Sequence, residues 1–388
     1  MPFNSSTPLG MRSSSVTIAA HATFVPIGMV TVLLGPMLPI LSARWELGYV
    51  EAGYLFTVQF LSASLGIAFS GAIASRLGYS FAIKAGLAAA ATGVGTLPVM
   101  PYPLGLLCIV LDGVALGLTI PACNVAIAEI NPEARGCALN LLNFSWSAGA
   151  VSCPFLVAAA VRVQRVPLLL YVLAGAMLVI LLGVSKISFG CPERTTLSTE
   201  PANLKIDWRQ RGVLILSALF FLYVGMESAI GGWLASYAKQ ITWSGALPVM
   251  TPSFFYFALM IGRWLAPIVL RWTSEIVLAR AGLVIACTGT AGLVLAHTIT
   301  GLVAGATVAG LGLSAVYPIT ISLFSQRFGR ASARAGSITF NLANFGGATL
   351  PLLVGYASHQ FGTLKVGLAV PLAAGVLMLG LYRNELAR

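Results

Sequence analysis

Charged side chains are scarce in this sequence, with Asp, Glu, Lys and Arg making up only 9% of its 388 residues. Soluble domains average about 25%, so the chain has too little charge to coat a water-facing surface. Acids are scarcer than bases, 11 against 22, and there are three His. No C-x-x-C pair, H-E-x-x-H helix, Walker-type loop or nucleophile elbow occurs. The expectation is therefore no bound metal, no cofactor and no enzyme chemistry. The six Cys read as small apolar packing residues.

What is abundant is apolar: 58% of the residues are hydrophobic, and mean hydropathy is +0.91. A helix needs about 20 apolar residues to cross hydrocarbon. Twelve such stretches are found, at 17–41, 52–75, 80–100, 103–129, 137–161, 166–186, 212–237, 248–271, 276–297, 300–324, 335–358 and 364–382. They are continuous rather than alternating, which excludes a barrel of short strands. The predicted fold class is an all-α integral membrane protein.

Topology follows from Lys and Arg. With the N-terminus inside, Arg44, Arg162, Arg165, Lys239 and Lys365 are the five outer cations, and the other seventeen of the 22, Arg76 and Arg263 among them, lie inside. A multi-pass plasma (inner) membrane protein with both termini cytoplasmic is expected. The net charge of +11 is then a record of insertion into a lipid bilayer, and a nucleic-acid partner is not expected.

The longest polar stretch, 187–211, divides the spans six and six. The reading is an N-terminal half over 1–186 with a cytoplasmic tail at 1–16, a cytoplasmic linker at 187–211, and a C-terminal half over 212–388. Segments recur between the halves: Gly28-Met29 with Gly225-Met226, Leu116-Gly117-Leu118-Thr119 with Leu311-Gly312-Leu313-Ser314, and Asn140-Leu-Leu-Asn143-Phe144 with Asn341-Leu-Ala-Asn344-Phe345. Their offsets are 197, 195 and 201 residues. Two parallel six-helix repeats imply a secondary transporter working by alternating access, with substrate held between the halves.

Family motifs agree. Gly71-Ala-Ile-Ala-Ser75-Arg76-Leu-Gly78 resembles the G-x-x-x-D-R-x-G signature of the major facilitator superfamily, with Ser75 in place of the Asp. Gly262-Arg263 resembles its partner element in the second half, so Arg76 and Arg263 join the coupling or gating candidates. Span seven, Tyr223-Val-Gly225-Met-Glu227-Ser-Ala-Ile-Gly231-Gly232-Trp233, and span ten, Gly312-Leu-Ser314-Ala-Val-Tyr317-Pro318-Ile-Thr320, are similar to the fucose–proton symporter-like family, which includes glucose/galactose transporters. That resemblance implies a monosaccharide substrate. Two acids of proton-coupled relatives are replaced here, by Val30 in span one and Ile120 in span four. The replacements favour uniport, or coupling through Glu227 alone, and leave H+ or Na+ as alternative partners of a monomeric carrier.

Inside the spans, an ionisable residue is a functional candidate by default. Asp112 and Glu227 are the two acids well inside. Glu227 would accept substrate hydroxyls or carry a proton, or be a structural carboxyl. Asp112 would be a gate residue or lie in an outer vestibule. Asn140/Asn143 and Asn341/Asn344 are spaced i, i+3 on one helix face, and their amides suit a neutral polyol or interhelical hydrogen bonds. Trp146, Trp233, Tyr317 and Tyr256 are candidate stacking rings, and Gln59 is a further contact. Rival readings are a drug or amphipathic-metabolite exporter, kept open by Phe254, Phe255 and Phe257, and a non-transporting membrane receptor or membrane-embedded enzyme.

Overall fold

The computed structural model describes residues 9–133, 135–187, 189, 211–242, 245–328 and 332–384. The expectations for the first eight residues and for most of the linker lie outside them. Among the described residues there are fourteen helices and no strand. The first six are α1 (Leu9–Trp45), α2 (Tyr49–Leu77), α3 (Tyr79–Thr96), α4 (Tyr102–Ile130), α5 (Arg135–Arg162) and α6 (Val166–Val184). After the linker come α7 (Arg211–Ile241), α8 (Leu247–Val269), α9 (Glu275–Leu295), α10 (Ile299–Leu313), α11 (Val316–Phe328), α12 (Ser332–Phe361), α13 (Leu364–Gly367) and α14 (Ala369–Asn384).

Two of the expected spans are each made of two helices, α10 with α11 and α13 with α14, so the fourteen helices form twelve segments. Ten are long and apolar enough to cross a membrane. The others, α3 and α12, stand where the third and eleventh spans were expected. The break before α11 falls where a proline weakens the helical ladder. Pro318 is the third residue of that helix and has no N–H for the Ser314 carbonyl. Pro371 occupies the same position in α14.

The repeat is written in backbone approaches as well as letters. A methyl group at Gly113 on α4 would strike the Gln59 carbonyl on α2, and one at Gly310 on α10 would strike the Phe255 carbonyl on α8. Gly86 meets the Ala115 carbonyl as Gly282 meets that of Gly312, and Gly93 meets the Cys108 carbonyl as Gly289 meets that of Gly305. Every equivalence falls 196 or 197 residues apart. Glycine is required at these crossings because two helix backbones touch there. On α5 and α12 the matching approaches are Gly149 on the Val25 carbonyl and Gly346 on that of Phe221. The offset of 201 read from the paired asparagines is thus displaced by four residues. The two pairs sit one helical turn apart in their helices, and Asn143 is the counterpart of Phe340 rather than Asn344.

The halves meet along α1 with α7, α2 with α12, and α5 with α8. Helix ends alternate, so the linker, the start of α1 and the end of α14 mark one face of the molecule. On the opposite, far face the halves are locked. Thr57 Oγ1 donates to the Ala348 carbonyl at 2.7 Å and Gln240 Nε2 to the Tyr49 hydroxyl at 2.5 Å, while Trp233, anchored within its own half by a 3.0 Å bond to the Pro351 carbonyl, lays its ring against Tyr49 and Phe56 of the other half. All of these side chains belong to the far halves of their helices.

Candidate functional site

Glu227 lies midway along the 31-residue α7, one turn after Tyr223 and one turn before Gly231, so all three share a helix face. Its carboxylate Oε1 is 3.9 Å from Nη2 of Arg263 on α8, and the two side chains are 16% and 24% exposed. Arg263 Nη2 also donates to the Tyr223 hydroxyl at 3.4 Å. The guanidinium carbon stands 6.0 Å from the centre of the Trp146 ring on α5, within cation–π range. Trp146 Nε1 in turn donates to Thr31 Oγ1 on α1 at 3.2 Å. Behind Tyr223, the Tyr317 ring from α11 packs at a centroid distance of 5.1 Å. The Tyr256 hydroxyl from α8 packs on the α7 backbone at Gly231, where a side chain would displace it.

Five helices from both halves therefore converge on one carboxylate and one guanidinium. Together these charges are balanced, and the walls are aromatic. Such a cluster has donors, acceptors and flat apolar faces, but no net charge to hold a strongly ionic solute.

The other candidates fall elsewhere. Asn344, on α12 close to its crossing with α7 at Gly346, has a buried Nδ2 with no hydrogen-bond partner among the described residues. Asn341 is half-buried one turn earlier. Asn140 and Asn143 are exposed, and Asn143 Nδ2 donates along its own helix to the Leu139 carbonyl at 2.9 Å. Trp233 is fully buried in the far-face lock, with Tyr49 and Phe56 against its ring. Arg76 is exposed at the end of α2. Gln59 and Asp112 line a different cavity, within the N-terminal half.

Two members of the cluster were absent from the expected pocket. Arg263 was counted with the cytoplasmic cations, yet it sits six residues inside the end of α8 and pairs with Glu227. The principle that singled out Glu227, a charge inside an apolar helix, applies equally to Arg263. Tyr223 was noted only as a motif residue, although its i−4 spacing from Glu227 places it on the same face.

The sequence profile of the Major Facilitator Superfamily matches residues 21–351. The chain belongs to the major facilitator superfamily. It is a transporter of that superfamily and an integral membrane protein. A glucose/galactose transporter of Brucella abortus is 24% identical over 363 residues, covering 86% of this chain and 85% of the relative. A putative glucose/galactose transporter of Helicobacter pylori is also 24% identical, over 385 residues, covering 89% and 90%. Among solved structures, a bacterial homolog of the human lysosomal transporter Spinster superposes with a TM-score of 0.74 at 13% identity, covering 96% of each chain. That last likeness shows the major facilitator fold.

Proposed function

We propose that this transporter moves a neutral monosaccharide by alternating access, through the pocket around Glu227 and Arg263. The charge-balanced pair walled by Tyr223, Tyr317 and Trp146 is the observation that carries the reading. The Glu227 carboxylate accepts hydroxyl hydrogen bonds, the Arg263 and Asn344 N–H groups donate them, and the rings cover the apolar faces of the sugar. The relatives named as glucose/galactose transporters support the same class of substrate.

The exporter reading needs an aromatic pocket built from Phe254, Phe255 and Phe257. Phe254 packs edge-on to Phe155, Phe255 is sealed against α10 at Gly310, and Phe257 is exposed on the outside of α8. None of the three turns toward Glu227, which favours the sugar.

The linker face is the cytoplasmic one in this proposal, with both termini on it and the carrier working as a monomer. Closure of the far face supports an inward-facing state in this proposal. Counterflow of labelled glucose and galactose in liposomes holding the full chain tests the substrate. Exchange by the wild type and its loss in Glu227→Gln is the expected result, and no exchange of any sugar in the wild type refutes it. A cysteine introduced at Ser198 should react with an impermeant maleimide only after the cytoplasmic side is opened.

A further inference from the structure

Asp112 lies ten residues into α4 and is 6% exposed. Its Oδ1 has no hydrogen-bond partner among the described residues. It faces a cavity with room for about one water molecule, lined otherwise by Val30, Leu34, Met37 and Ile109, with Gln59 as the second polar group. Leu41 and Leu97 continue the lining toward the far face. Gln59 Nε2 is directed to the Val30 carbonyl at 3.4 Å.

The repeat supplies an internal comparison. By the backbone register of 196 or 197, the counterparts of Asp112, Gln59 and Val30 are Ala309, Phe255 and Glu227. A methyl at Gly93 would strike Asp112 Oδ1, and one at Gly289 would strike the backbone of Ala309, so the same helix crossing is made with an alanine in the other half. Packing of this fold therefore does not call for an acid at Asp112. A carboxylate held among apolar side chains without a partner is strongly disfavoured, whereas the protonated acid is tolerated there. A metal ion is a poor fit, because hard cations take six or more oxygen ligands and the cavity offers two side chains.

We propose that Asp112 binds and carries a coupling proton, at a site in the N-terminal half separate from the Glu227–Arg263 pocket. One proton is taken up by the carboxylate from the far face and released from the acid to water on the linker face. The groups that face this carboxyl are few. Cys108 is one turn away on α4, Gln59 faces it from α2, and the Gly93 backbone from α3. Arg44, at the far end of α1, is engaged by the Leu97 and Met100 carbonyls at 3.1 and 2.9 Å. α1 is the wall shared by the two sites, since Val30 lines the Asp112 cavity and the next residue, Thr31, holds Trp146 against Arg263.

The proposal rests on the transport reading for one assay and is independent of it in the other. In liposomes acidic outside, the wild type should concentrate labelled glucose or galactose, up to about tenfold per pH unit for one proton per sugar. Asp112→Asn should equilibrate sugar at a ratio of about one while retaining counterflow, and Asp112→Glu should keep accumulation. Without any sugar, infrared difference spectra of the reconstituted protein through a pH titration should contain a protonated-carboxyl band. That band should vanish in Asp112→Asn, persist in Glu227→Gln, and titrate with a shifted midpoint in Asp112→Glu. Gradient-driven accumulation by Asp112→Asn, its absence in the wild type while counterflow proceeds, or loss of counterflow in a folded Asp112→Asn overturns the proposal. A band indifferent to Asp112→Asn also does so. If Asp112→Asn fails to fold, an unshifted midpoint in Asp112→Glu is the refuting result. Failure of every sugar to move would refute the substrate and leave the infrared result to decide Asp112.

Discussion

Removing Arg263 should destabilise the protein more than removing Arg263 and Glu227 together. The pair is 3.9 Å apart, and both side chains are less than a third exposed. At an effective dielectric of about 20, two unit charges about 4 Å apart attract by about 4 kcal/mol. Breaking such a pair from one side costs about 3–5 kcal/mol because the survivor keeps its desolvation penalty. Arg263→Met strands the Glu227 carboxylate without a countercharge and leaves it the Tyr223 hydroxyl as a hydrogen-bond partner, so a loss of about 3 kcal/mol is expected. Glu227→Gln leaves the guanidinium its Tyr223 bond and the Trp146 ring, so about 2 kcal/mol is expected. The double variant should also lose about 2 kcal/mol, giving a coupling energy of about 3 kcal/mol, below the Coulomb ceiling. Equilibrium unfolding of the four proteins in one mild detergent measures all of these values. A double variant as unstable as both losses combined, or an Arg263→Met within about 0.5 kcal/mol of wild type, would show that the pair is not coupled.

Trp146→Phe removes the bond to Thr31, about 1 kcal/mol, and should weaken sugar binding about fivefold by equilibrium dialysis. Thr31→Val should reproduce that loss, and full affinity in both variants would free Trp146 of a positioning role. Thr57→Val removes the bond from α2 to the Ala348 carbonyl across the halves and should shift the carrier about fivefold toward opening of the far face. The readout is faster maleimide labelling of a Phe56→Cys probe from that side, and an unchanged rate would count against the lock. Gly149→Ala, which drives a methyl into the Val25 carbonyl, should cost about 1–3 kcal/mol. By contrast Gly183→Ala, which meets nothing within 4 Å, should stabilise α6 by up to about 1 kcal/mol. Equal effects in unfolding would refute the close-approach argument.

The spans were legible because a membrane makes crossing a one-dimensional problem, and a run of about twenty apolar residues is decisive wherever it folds. The break at Pro318 was less so. Pro121 is its counterpart 197 residues earlier, and α4 passes through it unbroken. Neighbouring helices thus decide whether a proline divides a span. Register was misread at the asparagines because matching letters reward identical side chains, while the helices are registered by where glycine lets backbones touch. Glu227 stood out as a charge in an apolar helix. Arg263 carried the same signal but lies near enough to the end of its span to be counted with the topology cations. Trp233 and Tyr223 differ in a way that helical geometry decides. Four residues from Glu227 keep Tyr223 on its face, and six carry Trp233 to another, where it closes the far side.

The two halves serve as controls for one another. Ile67 and Pro26 in the N-terminal half are the counterparts of Arg263 and Tyr223, so the fold packs that layer without charge, and the charged pair is an addition confined to the C-terminal half. The N-terminal half carries its own addition, Asp112 with Gln59, displaced from that layer along α4 toward the far face. Each polar group costs stability that the other half shows to be avoidable, and retention of both argues that each has a task. They are unlike in kind. The Glu227 cluster is charge-balanced and supplied with ring faces, which suits an uncharged solute of several ångströms. The Asp112 cavity is unbalanced and about one water in size, too small for such a solute and sufficient for a proton. α1 touches both, and Pro36 and Pro39 each leave a carbonyl without its helical donor in the stretch beside Met37. That weakened stretch borders the Asp112 cavity, whereas the Thr31 turn of the same helix holds Trp146. If both proposals hold, protonation beside that weakened stretch is placed to bias which face of the Glu227 site opens.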